Sequence, residues 1–168
     1  MKMKIKQILP VLVLIAFLGC VPRVDIKPAD RIPFPEDEYK RLASTGTAIV
    51  KGQAFLKTRG GDVKTAAGNE VILNPGTSYS NQWYECYLQG VPMKEPDSRL
   101  WQYVKKQIAD GNGRFTFKNV PAGDYYVTVP VFWEAPVGYQ GALVRQGGVV
   151  SKKITVNDGD ELEIILTR

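Results

Sequence analysis

The chain is predicted to form an all-β domain, an antiparallel Greek-key β-sandwich of about seven strands, and three observations carry that expectation. Sixteen Gly and eleven Pro are spread along 168 residues and cut the apolar residues into short runs. Several of those runs alternate apolar and polar residues with a period of two, the signature of half-buried strands. The interruptions themselves, such as Asn74-Pro75-Gly76 and Asp110-Gly111-Asn112-Gly113, are strong turn formers. Hydrophobic residues make up 44% of the chain, enough for one real core.

The first strand is expected over residues 48–57, where Ala48, Val50, Ala54 and Leu56 share one face and Gly52 marks a bulge or a close approach of another backbone. A short strand over 70–73 ends at Asn74. Residues 77–102 break the rhythm: they carry Tyr79, Trp83, Tyr84, Tyr87 and Trp101, and form a long irregular insertion. Within it, Trp83 with Tyr87 and Tyr84 with Leu88 stand four apart, so a short helix over 81–89 fits. Residues 103–109 read as a strand, although Leu100, Trp101, Val104 and Ile108 also match a helical face. In 110–127, Phe115 and Phe117 alternate with polar residues, Pro121 and Gly123 turn the chain, and Tyr125 and Val127 resume the alternation, which reads as one hairpin. A second irregular loop is expected over 133–148. A closing hairpin follows, from 149–156 through the turn 157–160 to 161–167, with Leu162, Ile164 and Leu166 on one face.

The amino end has a different character. Lys2, Lys4 and Lys6 precede an apolar stretch over 8–18, then Gly19 and Cys20. The stretch is about half the ~20 residues that a permanent span requires, so it reads as an export signal. Phe17-Leu18-Gly19-Cys20 resembles the lipobox of bacterial lipoproteins, with Phe17 where Leu is usual. That resemblance implies cleavage before Cys20, acylation of its thiol (palmitate among the chains), and a lipid-anchored envelope protein. With Val21 following the cysteine, it implies the outer membrane if the source is Gram-negative. The domain plan is then a signal peptide over 1–19, a lipidated N-terminus and proline-rich tether over 20–46, and a β-domain over 47–168. Residues 35–43 can form a short helix, since acids lead and Lys40 and Arg41 follow.

Charge and composition exclude several classes. The net charge is +5, of which the three leader lysines contribute three, leaving +2. No basic cluster with interleaved aromatics stands in the linear sequence, so nucleic acid is not an expected partner. Histidine is absent, which removes His-dependent triads and His-ligated metal sites. No metal, cofactor or catalytic residue is assigned, and the chain is read as a non-enzyme. The Asp110 turn lacks the downstream ligands of a calcium loop, because Arg114 and Pro121 fall at ligand positions. Lys51 or Lys57 with Asn157 does not make a convincing isopeptide set, and no glycosidase pair is nameable from Glu85, Glu95 and Glu134. Cys86 reads as a buried, inert thiol.

The run from a strand containing Gly52 through residues 66–73 to Asp110-x-x-Gly113-x-Phe115-x-Phe117-x-x-x-Pro121-x-Gly123-x-Tyr125 resembles the carboxypeptidase regulatory-like domain family, sandwiches of the transthyretin or prealbumin type. The resemblance implies a non-catalytic domain for docking or structure. The leading expectation is therefore an envelope lipoprotein that meets a protein partner or plays a structural role. The alternative is a carbohydrate or small-ligand binding module using the aromatics of the two long segments, with Trp83, Tyr84, Trp133 and Tyr139 as the candidate residues.

Overall fold

The computed structural model describes residues 27–137 and 141–168, so Cys20, the leader and Tyr139 lie outside the described residues. Eight strands are present among them: β1 (Ala48–Lys57), β2 (Val63–Thr65), β3 (Glu70–Pro75), β4 (Lys105–Ile108), β5 (Arg114–Val120), β6 (Gly123–Val137), β7 (Ala142–Val156) and β8 (Glu161–Leu166). Two helices, α1 (Glu36–Lys40) and α2 (Ser78–Leu88), and a 3-10 helix (Ser98–Gln102) complete the described elements.

The strands form two four-stranded sheets packed face to face. In the first, β1 pairs antiparallel with β5 and β2, and parallel with β8. The second runs β4-β3-β6-β7, antiparallel throughout. Alternating side chains of both sheets interlock between them, including Val50, Leu73, Phe117, Val129, Val150 and Leu166, all buried in one cluster. Gly52 lies where β1 is crowded: a Cβ there would stand 2.5 Å from Phe115 Cζ and 2.7 Å from the Ile164 carbonyl oxygen. It serves a close approach, since the register shift in β1 falls between Ala48 and Val50.

Residues 110–127 do not form a hairpin. β5 belongs to the first sheet and β6 to the second, so the turn between them is an arch that crosses the core. Period-two alternation cannot separate these cases, because facing strands of a sandwich and paired strands of a hairpin both point every second residue inward. The arch is fixed locally by Asn119 at φ 54° and by the buried Tyr125, whose hydroxyl donates to the Pro121 carbonyl at 3.0 Å. The predicted closing hairpin is likewise an arch: β7 stays in the second sheet while β8 crosses to run parallel with β1.

The segment 133–148, expected as a loop, is mostly strand. β6 and β7 pair in one continuous register from Gly123 opposite Val156 to Val137 opposite Ala142, forming a long two-stranded arm. Pro130 and Pro136 are tolerated because β3 pairs with β6 only as far as Thr128; beyond it the proline nitrogens face no strand that needs a donor.

The amino-terminal segment also departs from expectation. Among the described residues of the predicted tether, 28–43 pack on the domain instead of standing off it. Ala29 bridges Met93, Phe34 stacks on Tyr39 with centroids 4.7 Å apart, and Tyr39 is fully buried with Tyr79 and Leu100 in a second cluster. This strap, α1, α2 and the 3-10 helix make a third layer over the outer face of the second sheet. Residues 103–109 divide, with Tyr103 closing the 3-10 helix and only Lys105–Ile108 in strand.

Candidate functional site

Between the third layer and the second sheet lies a cavity of about 260 Å³. Its floor is the outward face of the sheet, where Ile72, Asn74 and Thr128 line it. These residues alternate with the buried Val71, Leu73, Val127 and Val129, so strand periodicity alone aims them away from the core. Trp83 of α2 and Trp101 of the 3-10 helix contribute two indoles to its walls.

The walls are held by specific contacts. Thr77 caps α2 in a capping box with Ser80, and the Ser80 hydroxyl donates to the Pro75 carbonyl at 2.6 Å, pinning the helix to the end of β3. The Tyr126 hydroxyl donates to Asn81 Oδ1 at 2.7 Å, and Tyr87 bonds the backbone of Val149 and Ser151 in β7. Gln82 clasps the strap at both ends of its amide, accepting from Ile32 N at 3.0 Å and donating to the Asp30 carbonyl at 3.2 Å. Arg31 lies over the Tyr79 ring at 5.1 Å and donates through Nε to the Lys94 carbonyl. Asp97 accepts from the backbone and guanidinium of Arg99, which also reaches Glu36 of α1 at 2.9 Å.

These contacts shape the local titration. The Arg99 guanidinium beside Asp97 holds its carboxyl down at about 2. Burial pushes the Tyr39 phenol up to about 12, partly opposed by its hydrogen bond from Thr77. Burial also raises Tyr126.

Asn74 is the distinctive polar group. Its Oδ1 is buried and has no hydrogen-bond partner among the described residues. A buried acceptor left unpaired costs about 1–3 kcal/mol, so the position is expensive unless something donates to it. Around it the cavity offers the Thr128 and Ser80 residues and, at the rim, Arg31, Lys94 and Glu95.

The sequence candidates divide. Trp83 lines the cavity, and Tyr84 stands beside it, its ring 4.5 Å from that of Tyr126. Trp133 is elsewhere: seven residues beyond Tyr126 on β6, it points to the opposite face of the sheet, packs against the main core and lines a different cleft. Tyr139 lies outside the described residues. The four therefore do not make one surface in what is described. Trp101 and Asn74 were not singled out from sequence; the former stood in the aromatic-rich insertion, whereas the latter read only as a turn former. Other chemistries resolve as structure. Asp110 Oδ1 accepts from the Asn112 and Arg114 amides at 2.8 Å each, Lys51 pairs with Glu161, and Asn157 bonds Asp160. Cys86 on α2 is a half-buried free thiol.

No family model matches the chain, and no curated protein matches it. Among solved structures, the chain is similar to a Pseudomonas aeruginosa protein described as a candidate carbohydrate-binding protein. The likeness has a TM-score of 0.73 and 29% sequence identity, and it covers 83% of this chain and 100% of the other. The β-sandwich fold is thereby shared with a solved structure.

Proposed function

We propose that the protein is a non-catalytic carbohydrate-binding module, with the cavity between the second sheet and α2 as its site. The observation that carries this reading is the buried, unpartnered Asn74 Oδ1 set among two indoles. Sugars present both a ring face of C–H groups that stacks on tryptophan and hydroxyls that donate to an amide oxygen. The cavity is slightly smaller than the ~300–1,000 Å³ typical of sites for drug-sized ligands, which suits a terminal sugar of one or two rings. The solved neighbour's description as a candidate carbohydrate-binding protein supports the same class.

The Phe17-Leu18-Gly19-Cys20 motif places this module, in our reading, on the cell envelope through a lipid on Cys20. Only seven residues separate that cysteine from Pro28, where the packed strap begins, so the domain would ride close to the bilayer. A Cys20→Ala protein that still fractionates with membranes and still incorporates labelled palmitate would refute the anchor.

The test of the site is a screen of neutral saccharides against the protein and its Trp83→Ala and Trp101→Ala variants, read by tryptophan fluorescence and calorimetry. A binding saccharide whose affinity drops by about tenfold or more, roughly 1.4 kcal/mol, in each variant supports the reading. Unchanged affinity in both variants would move the site elsewhere. A second reading, protein contact at the envelope, is favoured by Phe132, Leu143 and Val144 exposed on the β6–β7 arm. In that case a Leu143→Lys variant loses cross-links to its partner in intact cells, while Trp83→Ala keeps them.

A further inference from the structure

We infer a second binding site, distinct from the cavity over α2: the cleft at the Trp133 end of the sandwich takes an anionic saccharide, one whose sugar rings carry carboxylates. The cleft has a volume of about 810 Å³ and opens between the end of β1 with its β2 partner on one side and the β6–β7 arm on the other. Lys57, Arg59, Lys64 and Arg168 line it, against two side-chain carboxylates, Asp62 and Glu134.

Four of the described cations that lack a carboxylate partner gather at this one cleft. Lys40, Lys51, Lys94, Arg99, Lys106 and Lys153 each have a carboxylate within salt-bridge distance. Among the described residues the four cleft cations have none, although Asp62 and Glu134 share the cleft with them. Arg168 is fixed by one hydrogen bond, Nη2 to the Val149 carbonyl at 2.8 Å, which leaves the rest of its guanidinium fork for a ligand. Three cations on the β1–β2 side, with Arg168 beside the Val149 carbonyl, focus a positive potential into the gap.

The indole decides the class of anion. Trp133 is half-buried against the rim of the main core, which fixes its orientation. It stands opposite Gln146, and the next residue, Gly147, has φ +99°; a Cβ there would lie 2.9 Å from Trp133 Cζ3. Glycine at 147 thus lets the indole lie against the strand. A rigid aromatic face within a cationic cleft matches a ring that has both a C–H face and a carboxylate. A bilayer surface matches it less well, since the cations line a recess and the exposed Phe132 and Leu143 project from the other face of the arm. The sequence concealed this site because its basic residues come from two remote stretches, 57–64 and 168, with Trp133 between.

The test titrates the full chain in detergent with a tetramer of galacturonate and with the neutral galactose tetramer, at low salt and at about 0.15 M salt, following tryptophan fluorescence. The expected result is binding of the uronate, at least about tenfold weaker binding of the neutral sugar, and weakening of the uronate complex by salt. The exposed double variant Lys57→Glu with Arg59→Glu should reduce uronate affinity by about tenfold or more with an unchanged melting temperature. Trp133→Ala should also reduce uronate affinity by about tenfold or more, with a lower melting temperature because the indole packs on the core. Trp83→Ala should leave uronate binding intact, which separates this site from the first. Equal binding of the two tetramers, loss of uronate binding in Trp83→Ala, or no effect of the double variant overturns the inference. So does binding of phosphatidylglycerol vesicles or of a single-stranded oligonucleotide in preference to the uronate, because either would make the cleft a general anion surface.

Discussion

Thr77 Oγ1 donates a 2.9 Å hydrogen bond to the phenol oxygen of Tyr39, joining the N-cap of α2 to the buried side chain of α1. The cavity wall and the amino-terminal strap are therefore one mechanical unit. Anything that expels Tyr39 also loosens the helix that carries Trp83.

Alkaline pH should do this. The Tyr39 phenol titrates at about 12 in the folded protein against an ordinary value of 10.0. A raised folded value means that the folded state holds its proton more tightly than the unfolded one. Its contribution is complete below pH 10 and is lost as pH rises through 12, amounting to about 2–3 kcal/mol. Tyr39→Phe should lose about 1 kcal/mol at neutral pH with the hydrogen bond, yet show a shallower fall in stability between pH 10 and 12. Burial raises Tyr125 and Tyr126 as well, so the slope shrinks without vanishing. Urea melts of both proteins at pH 7, 10 and 11.5 measure it.

Acid should release the strap from the other side. Asp97 titrates at about 2 when folded, below its ordinary 3.8, and Glu36 is lowered by Lys40 and Arg99. Depressed carboxylates stabilise the fold above their unfolded values and lose that contribution as pH falls through the folded ones. Between about pH 4 and 2, amide exchange in residues 28–43 should accelerate before the sandwich unfolds. An Asp97→Ala variant, which starts without the Arg99 contact, should show faster exchange at pH 6 and a smaller further change on acidification, the remainder coming from Glu36.

Gly52→Ala should destabilise the sandwich by about 1–3 kcal/mol, because the new methyl meets Phe115 and the Ile164 carbonyl between the sheets. The urea midpoint should fall with an unchanged slope, the mark of a stability change in an intact fold. A variant as stable as the parent would mean that β8 can shift away from β1.

Gly52 also shows how far the sequence could be read. A glycine in the middle of an alternating run announces close packing, and the alternation of β1, β5 and β6 named most of the core. What alternation could not convey is which strands pair, because inward residues look alike in a hairpin and in an arch. The same limit governed the sites. Trp83 stood out as an aromatic in an irregular segment and does line the cavity, but Trp133, equally conspicuous, lies on the other face of its sheet. Asn74 was invisible as a site residue, since Asn before Pro-Gly reads as a turn. Its meaning depends on α2 folding back over β3, a tertiary event. The strap was hidden for a related reason: four prolines signal an extended chain, and an extended chain can lie on a surface as readily as it can stand away from one.

Asn74 supplies the sharpest separation of fold from function. Its buried Oδ1 has no partner among the described residues, so its donor has to come from the cavity, from water or from a ligand. Asn74→Leu replaces the amide with an apolar group of similar size facing Ile72, Trp83 and Leu100. The variant should be at least as stable as the parent, because no hydrogen bond to a protein partner is lost and apolar surface is added to the cavity wall. It should also bind the cognate saccharide about tenfold or more weakly, since the sugar hydroxyl loses its acceptor. Undiminished stability with weakened affinity is what a polar group kept for a ligand produces, and thermal melts with calorimetry on the same two proteins measure both. If Asn74→Leu were less stable, the amide would be holding the sheet and α2 together, and its place in a binding site would fall.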